Sequence, residues 1–394
     1  MSAPRTTTNR LGHQPSLDGI RGIAILAVLA IHFEWPWLPG GFFGVDVFFA
    51  LSGFLITTLL LEEQLQSGRI SLGRFFMRRV LRLYPALVGL VVVSTVFALL
   101  FHRESTPGRD FSVAAAVLLY VANWMSMADT QAWFGGMPHT WSLAVEMQFY
   151  VLWAAIIAIV SRRYAGPTQR GTLLKVLTVI AGSIVIISAT WRAILWAHHA
   201  NWLRVYLGTD TRLDAIFVGA TAALVRLQGV QKSSSPWMVN QPRWVIAGLE
   251  TICFAVIVLL FAVVHFASPL PGVIDFTIVA IATTVLILTT VLRTDTLFGA
   301  IFRLRPLTWI GQISYSLYIW HVPAAKLLRA DRLVAAGLPP WAAGTVRVVV
   351  AVLLAAVSYY AIERTFLRMK RRFEPRRAAG TSPVAMAASP QAGL

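Results

Sequence analysis

What most limits this chain is a series of long apolar blocks joined by short, basic loops. A bilayer-crossing helix needs about 20 mostly apolar residues, because backbone polar groups in hydrocarbon must be satisfied within the helix itself. Eleven blocks approach that pattern: 17–33, 42–61, 84–102, 111–124, 140–160, 172–196, 211–228, 244–266, 272–292, 307–328 and 341–362. Charged residues make up only 13% of the chain, and 57% is hydrophobic. An ordinary soluble domain carries about a quarter charged residues, so a soluble globular enzyme and a disordered chain are both excluded. The expected fold is all-α, a polytopic integral membrane helix bundle.

Loop charge decides how many blocks cross, since Lys and Arg beside spans stay on the cytoplasmic side. The block 111–124 is short and runs into a polar, glycine-containing stretch. If it does not cross, the inner segments hold 25 Lys and Arg and the outer ones 5. If it crosses, every later loop flips and the count becomes 11 inside against 19 outside. The expectation is therefore ten spanning helices, both termini cytoplasmic, the plasma membrane as location, and 111–124 as a short outer or re-entrant helix. Three regions follow: 1–16 as a disordered N-terminus, 17–362 as the membrane domain, and 363–394 as a basic, then disordered tail. The apolar start resembles a signal anchor, with Asp18 and Arg21 at one end and no small-residue cleavage site.

The net charge of +17 raises nucleic acid as a partner. The basic residues are scattered over loops and a tail, with no aromatic-lined basic domain, so no nucleic-acid partner is expected. The lone Cys253 lies in an apolar run, which leaves no intrachain disulfide and no cysteine metal site. The histidines lack metal-ligand spacing, and there is no nucleophile elbow, phosphate loop or dinucleotide fingerprint.

Ionisable groups inside spans are costly and point to function. Arg21 and His32 stand eleven positions apart. At about 100° per residue both fall on one helix face, separated by a rise of about 16 Å. Asp46, Glu146, Arg212, Asp214 and His321 fall in the same outer half of the membrane as His32. A neutral imidazole can take a hydroxyl proton, and a carboxylate can fix its tautomer. Either Asp46 or Glu146 could orient His32, whereas Arg212 and Asp214 could form a structural ion pair instead. On the inner side Arg74, Arg78 and Arg82 share a helix face. They suit either anionic lipid at the membrane surface or a phosphate-bearing cytosolic donor.

Several segments together resemble the membrane acyltransferase-3 family. They are Leu17-Asp18-Gly19-Ile20-Arg21-Gly22 with His32, Gly41 to Phe54, Arg78-Arg79-Val80-Leu81-Arg82-Leu83-Tyr84-Pro85, Thr140-Trp141-Ser142-Leu143-Ala144-Val145-Glu146, and Ile313-Ser314-Tyr315-Ser316-Leu317-Tyr318-Ile319-Trp320-His321. The resemblance covers about residues 14–370. It implies a ten- or eleven-helix O-acyltransferase whose donor is acyl-CoA, most often acetyl-CoA. The acceptors it implies are hydroxyls of cell-surface glycans, peptidoglycan, glycolipids or macrolides. By position His32 matches the family's functional histidine, Arg21 its paired basic residue and Glu146 its acidic residue. Met147 replaces a tryptophan that often follows that acid. Some members carry a fused extracytoplasmic domain. Here about 30 residues follow the last span, so a second transfer step is expected to need a separate protein.

The resulting expectation is that donor phosphates dock at Arg21, Arg78 and Arg82 and that the thioester reaches His32 through the bundle. His32 then serves as general base or, alternatively, as a covalent acyl carrier. Ser142, Tyr150, Arg212 and Tyr318 are candidates to stabilise the oxyanion, with Asp214 beside the substrate. A proton-coupled transporter or flippase built on the same buried groups is the competing class, and a non-catalytic scaffold is a third.

Overall fold

The structure, a computed structural model, describes residues 11–101, 107–128, 137–164, 166–231, 237–266, 273–293 and 295–373. The stretches expected to be disordered lie largely outside them. Among the described residues nine helices are long and apolar enough to cross a membrane, and there is no strand.

Helix α1 (Pro15–His32) opens with proline in its first turn, where the missing N–H costs nothing. A 3₁₀ turn at Gly41–Phe43 leads into α2 (Gly44–Ser67), which stops at Gly68, whose φ of 70° is left-handed. Next comes α3 (Leu72–Phe101). The arginine-rich segment is the first part of this single helix, which continues through Pro85 into the 84–102 block. The short α4 (Pro107–Leu118) and α5 (Ala122–Ala128) meet at Tyr120, where φ is 56°. Each falls well short of a span, in keeping with a non-crossing 111–124.

The second half contains α6 (Trp141–Arg163), α7 (Arg170–Ala197), the short α8 (Trp202–Leu207) and α9 (Thr209–Gln231). It continues with α10 (Arg243–Val263), α11 (Asp275–Leu292) and the short α12 (Leu297–Phe302). The expected block 307–328 is not one rod. It divides into α13 (Arg305–Gln312) and α14 (Ser314–Leu327) at Ile313, whose ψ of 4° breaks the helical path. The chain then passes through α15 (Ala330–Ala335) to α16 (Pro340–Ser358), a π-helical turn at Tyr359–Glu363 and α17 (Arg364–Lys370).

Helix α2 is the hub. Its packing on α9 is close because glycines meet backbone: a Cβ at Gly53 would strike the Ile216 carbonyl, and one at Gly219 the Ala50 carbonyl. Small residues allow this approach, which replaces the hydrophobic drive absent between helices in lipid. The exterior carries exposed Val92, Val96, Val179, Ile186, Leu259 and Leu353, whereas Asp46, Arg192, Arg212 and Asp214 are fully buried. An apolar outside around a charged inside is what a bilayer solvent selects.

Candidate active site

Three voids run in series between the helices. The first is lined by Asp18 and Arg21 of α1, Ser52 of α2, Arg79 and Arg82 of α3, Ser142, Glu146 and Tyr150 of α6, Tyr315 and Tyr318 of α14, and Lys370. The second lies between Val28, His32, Phe42, His139, Trp141 and Lys326. Val45 and Tyr318 line both of these, so they form the wall between them. The third holds Glu34, Arg329, Asp331 and Arg347, and it shares His32 and Lys326 with the second. His32 therefore stands between a middle chamber and the third void, which is an outer vestibule in the orientation expected from loop charge.

Helical periodicity explains the arrangement. On α1, Leu17, Asp18, Arg21, Val28 and His32 all fall within about 100° of arc, so one face lines the whole series. On α2, Val45, Phe48, Phe49, Ser52, Leu55, Ile56 and Leu59 form the cavity face. Asp46 is turned roughly 120° from the centre of that face. On α6, Ser142, Glu146 and Tyr150 lie four apart and point the same way.

The imidazole of His32 is held by backbone. Its Nδ1 lies 2.8 Å from the carbonyl oxygen of Val28. A carbonyl only accepts, so Nδ1 carries the proton and Nε2 keeps its lone pair. Two further histidines repeat the device. His139 Nε2 donates to Ile319 O at 3.1 Å, and His321 Nδ1 to Tyr318 O at 2.7 Å. The rings pack edge to face, His32 on His321 at 4.6 Å and His139 on His321 at 5.1 Å between centroids. His32 is the exposed member; the other two are buried.

The carboxylates expected to orient His32 are engaged elsewhere. Glu146 accepts from Ser52 and from Tyr150, both at 3.0 Å, in the first void with Arg21, Arg79 and Arg82. Asp46 accepts from Arg212 Nη2 at 2.7 Å, with both side chains fully buried. Arg212 stacks over the Phe276 ring at 3.6 Å among Phe49, Trp141 and Tyr206. The alternative of an Arg212–Asp214 pair is not what forms, because Asp214 takes a two-pronged bond from Arg192 at 2.7 and 2.8 Å and another from Thr277. Arg192 also donates to the carbonyls of Thr211 and Val273. Asp46, Arg212 and Asp214 line none of the three voids and tie α2, α7, α9 and α11 together, which is a structural task.

A second correction concerns the inner arginines. Arg78 donates to Glu63 at 3.2 Å and to the Phe373 carbonyl, and Arg74 also pairs with Glu63. Arg226 is held by Glu62 at 2.8 Å. These groups are spoken for. Arg79 and Arg82 line the void and have no carboxylate within 4 Å among the described residues. Arg79 stacks over Phe75 and Tyr150. Arg21 keeps a long 3.5 Å contact with Asp18, which His13 also approaches at 2.8 Å.

Of the four oxyanion candidates, Ser142 and Tyr318 stand at the wall between the first two voids. Ser142 lies 2.5 Å from the Tyr318 hydroxyl, which donates to the His139 carbonyl at 2.7 Å. Tyr150 is committed to Glu146, and Arg212 lies outside. Ser52, Arg79, His139 and Lys326 also line the voids, although none is among the residues expected at the site. The period of α2 signals Ser52, since it shares a face with Phe48 and Phe49. His139 precedes its helix in a 3₁₀ turn, where no periodicity marks it.

A family model described as an acyltransferase domain matches residues 14–360. This chain belongs to the acyltransferase-3 family. Among curated relatives, the peptidoglycan O-acetyltransferase OatA of Listeria monocytogenes is 34% identical over 334 residues, covering 82% of this chain and 51% of that protein. The O-acetyltransferase OatA of Staphylococcus aureus is 32% identical over 359 residues, covering 89% and 56%. The acyltransferase-3 chain described here thus spans about half the length of the curated relatives it matches. No solved structure matches it.

Proposed function

We propose that this acyltransferase-3 chain moves an acetyl group from acetyl-CoA, bound from the cytoplasm, to a sugar hydroxyl on the far side of the plasma membrane. The observation that carries this reading is the series of voids, in which consecutive members share lining residues from Arg21 and Arg82 to His32. The two carboxylate-free arginines, with Arg21 and Lys370, form a cationic mouth suited to nucleotide phosphates. The adjoining void, which shares Val45 and Tyr318 with the first, would take the extended thiol arm. Arg21 and His32 are about 16 Å apart along α1, so the thioester arrives beside the imidazole while the phosphates stay at the mouth.

At His32 the chemistry balances without a carboxylate partner. The Nε2 lone pair takes the acceptor hydroxyl's proton as the oxygen attacks the thioester carbon. When the tetrahedral centre collapses the carbon–sulfur bond breaks, and the imidazolium returns the proton to the departing CoA sulfur. The Val28 carbonyl holds Nδ1–H throughout and fixes the tautomer. Tyr318 and Ser142 lie nearest the wall the thioester must pass, and they would meet the oxyanion by turning the Tyr318 hydroxyl away from the His139 carbonyl it now bonds. An acceptor of carbohydrate type agrees with the peptidoglycan named for the Listeria relative.

The test uses the full chain in proteoliposomes with radiolabelled acetyl-CoA and membrane glycans. The expected result is label on glycan hydroxyls with release of CoA, abolished by His32→Ala at normal expression. Full transfer by that variant removes His32 as base. Movement of substrate without covalent label turns the reading toward a transporter.

A further inference from the structure

We propose that the outer vestibule is the acceptor site, and that Arg347 there binds an acid group, carboxylate or phosphate, carried by the acceptor sugar. This rests on the acyltransferase reading and names the class of its second substrate.

Six arginines are buried among the described residues: Arg78, Arg79, Arg192, Arg212, Arg226 and Arg347. Four of them hold a carboxylate, namely Glu63, Asp214, Asp46 and Glu62. The two without one are Arg79 and Arg347, and each lines a void. Burying a guanidinium without a counter-charge is unfavourable unless an anion arrives. In the inner void the donor's phosphates fill that role. The outer void poses the same electrostatic question at the other end.

Arg347 is not a lipid-facing residue reaching for headgroups. On α16 the buried positions are Ala343, Arg347, Ala351, Ala355 and Ser358, a spacing of four and then three that marks the inward stripe. Arg347 is 4% exposed, and its Nε has no hydrogen-bond partner. The guanidinium rests over Phe33 at 5.1 Å, the residue directly after His32. Both Arg347 and His32 line the vestibule. An acid group held by Arg347 therefore sets the rest of a sugar against the imidazole. Of the remaining charges there, Arg329 and Asp331 neutralise each other at 2.6 Å. Glu34 lines the same void but makes no ion pair with Arg347 among the described residues.

The experiment is saturation-transfer NMR on the full chain in detergent, with no donor present. The probes are N-acetylmuramic acid, N-acetylglucosamine 1-phosphate and neutral N-acetylglucosamine. Wild type should bind at least one acidic sugar roughly tenfold or more tighter than the neutral one, the size expected of a charge-assisted contact. Which acid binds identifies the source of the anion. Arg347→Gln should abolish the preference, and Arg347→Lys, which keeps the charge, should retain part of it at wild-type melting temperature. Equal binding of all three sugars, binding of none, or an unchanged preference in Arg347→Gln overturns the proposal. Binding is read without turnover, so a failure of acetyl transfer beside intact binding counts against the donor reading alone.

Discussion

Replacing Asp46 separates structural from catalytic readings of the buried charges. Its Oδ1 accepts from Arg212 at 2.7 Å, and neither side chain is exposed. Arg212 Nε and Nη1 have no partner, so Asp46→Ala strands the guanidinium among rings. Two unit charges about 4 Å apart at an effective dielectric constant near 20 attract by about 4 kcal/mol. Breaking a buried pair from one side typically costs about 3–5 kcal/mol. The Phe276 face, 3.6 Å from the guanidinium, offsets some of this, because a desolvated cation–π contact contributes up to about 2 kcal/mol. The expected loss is therefore about 3 kcal/mol. The double variant Asp46→Leu, Arg212→Met removes both charges and should recover to within about 1 kcal/mol of wild type. Reversible unfolding in mixed micelles measures stability, and acetyl transfer is assayed in parallel. Transfer should return with stability in the double variant, since Asp46 lines no void. Wild-type stability in Asp46→Ala refutes the pair's structural role, and a stable double variant without transfer places Asp46 in the chemistry.

Other outcomes follow from the same geometry. Arg82→Ala should raise the Michaelis constant for acetyl-CoA roughly 10- to 100-fold through loss of a charge-assisted phosphate contact. Arg78→Ala should instead lower stability, because Glu63 loses its nearer cation and the Phe373 carbonyl its donor; initial rates and unfolding curves distinguish the two. Glu146→Gln should weaken use of the donor and leave the pH profile of the acceptor step unchanged, since Val28 and not Glu146 orients His32; a shifted profile contradicts this. Gly219→Val should destabilise by about 1–3 kcal/mol or more through overpacking against Ala50, read as a lower unfolding midpoint.

Much of the architecture is legible in the chain because lipid is a demanding solvent. Apolar length, loop charge and the arc shared by Arg21 and His32 are properties of a single helix, and single-helix properties can be read from residue order. The break at Ile313 was hidden, since 307–328 is long and mostly apolar and the break falls next to Gly311, which lies against the Asp18 carbonyl of α1. Partner choice among charges was hidden as well. Asp46 and Glu146 are equally acidic in the sequence. Only the rotation of α2 and α6 sends one to Arg212 and the other to the basic void.

Residue order alone thus determined a helical membrane protein, a family and a histidine on the same face as an arginine. It did so because hydrocarbon leaves the backbone few options and helices impose a fixed period. Tertiary packing decided the rest: which arginines are neutralised and which stay open, which voids join, and that a backbone carbonyl holds the imidazole. Those outcomes depend on distances between residues far apart in the chain. Such distances are set by how glycine-lined helices close against one another, and no local pattern encodes them.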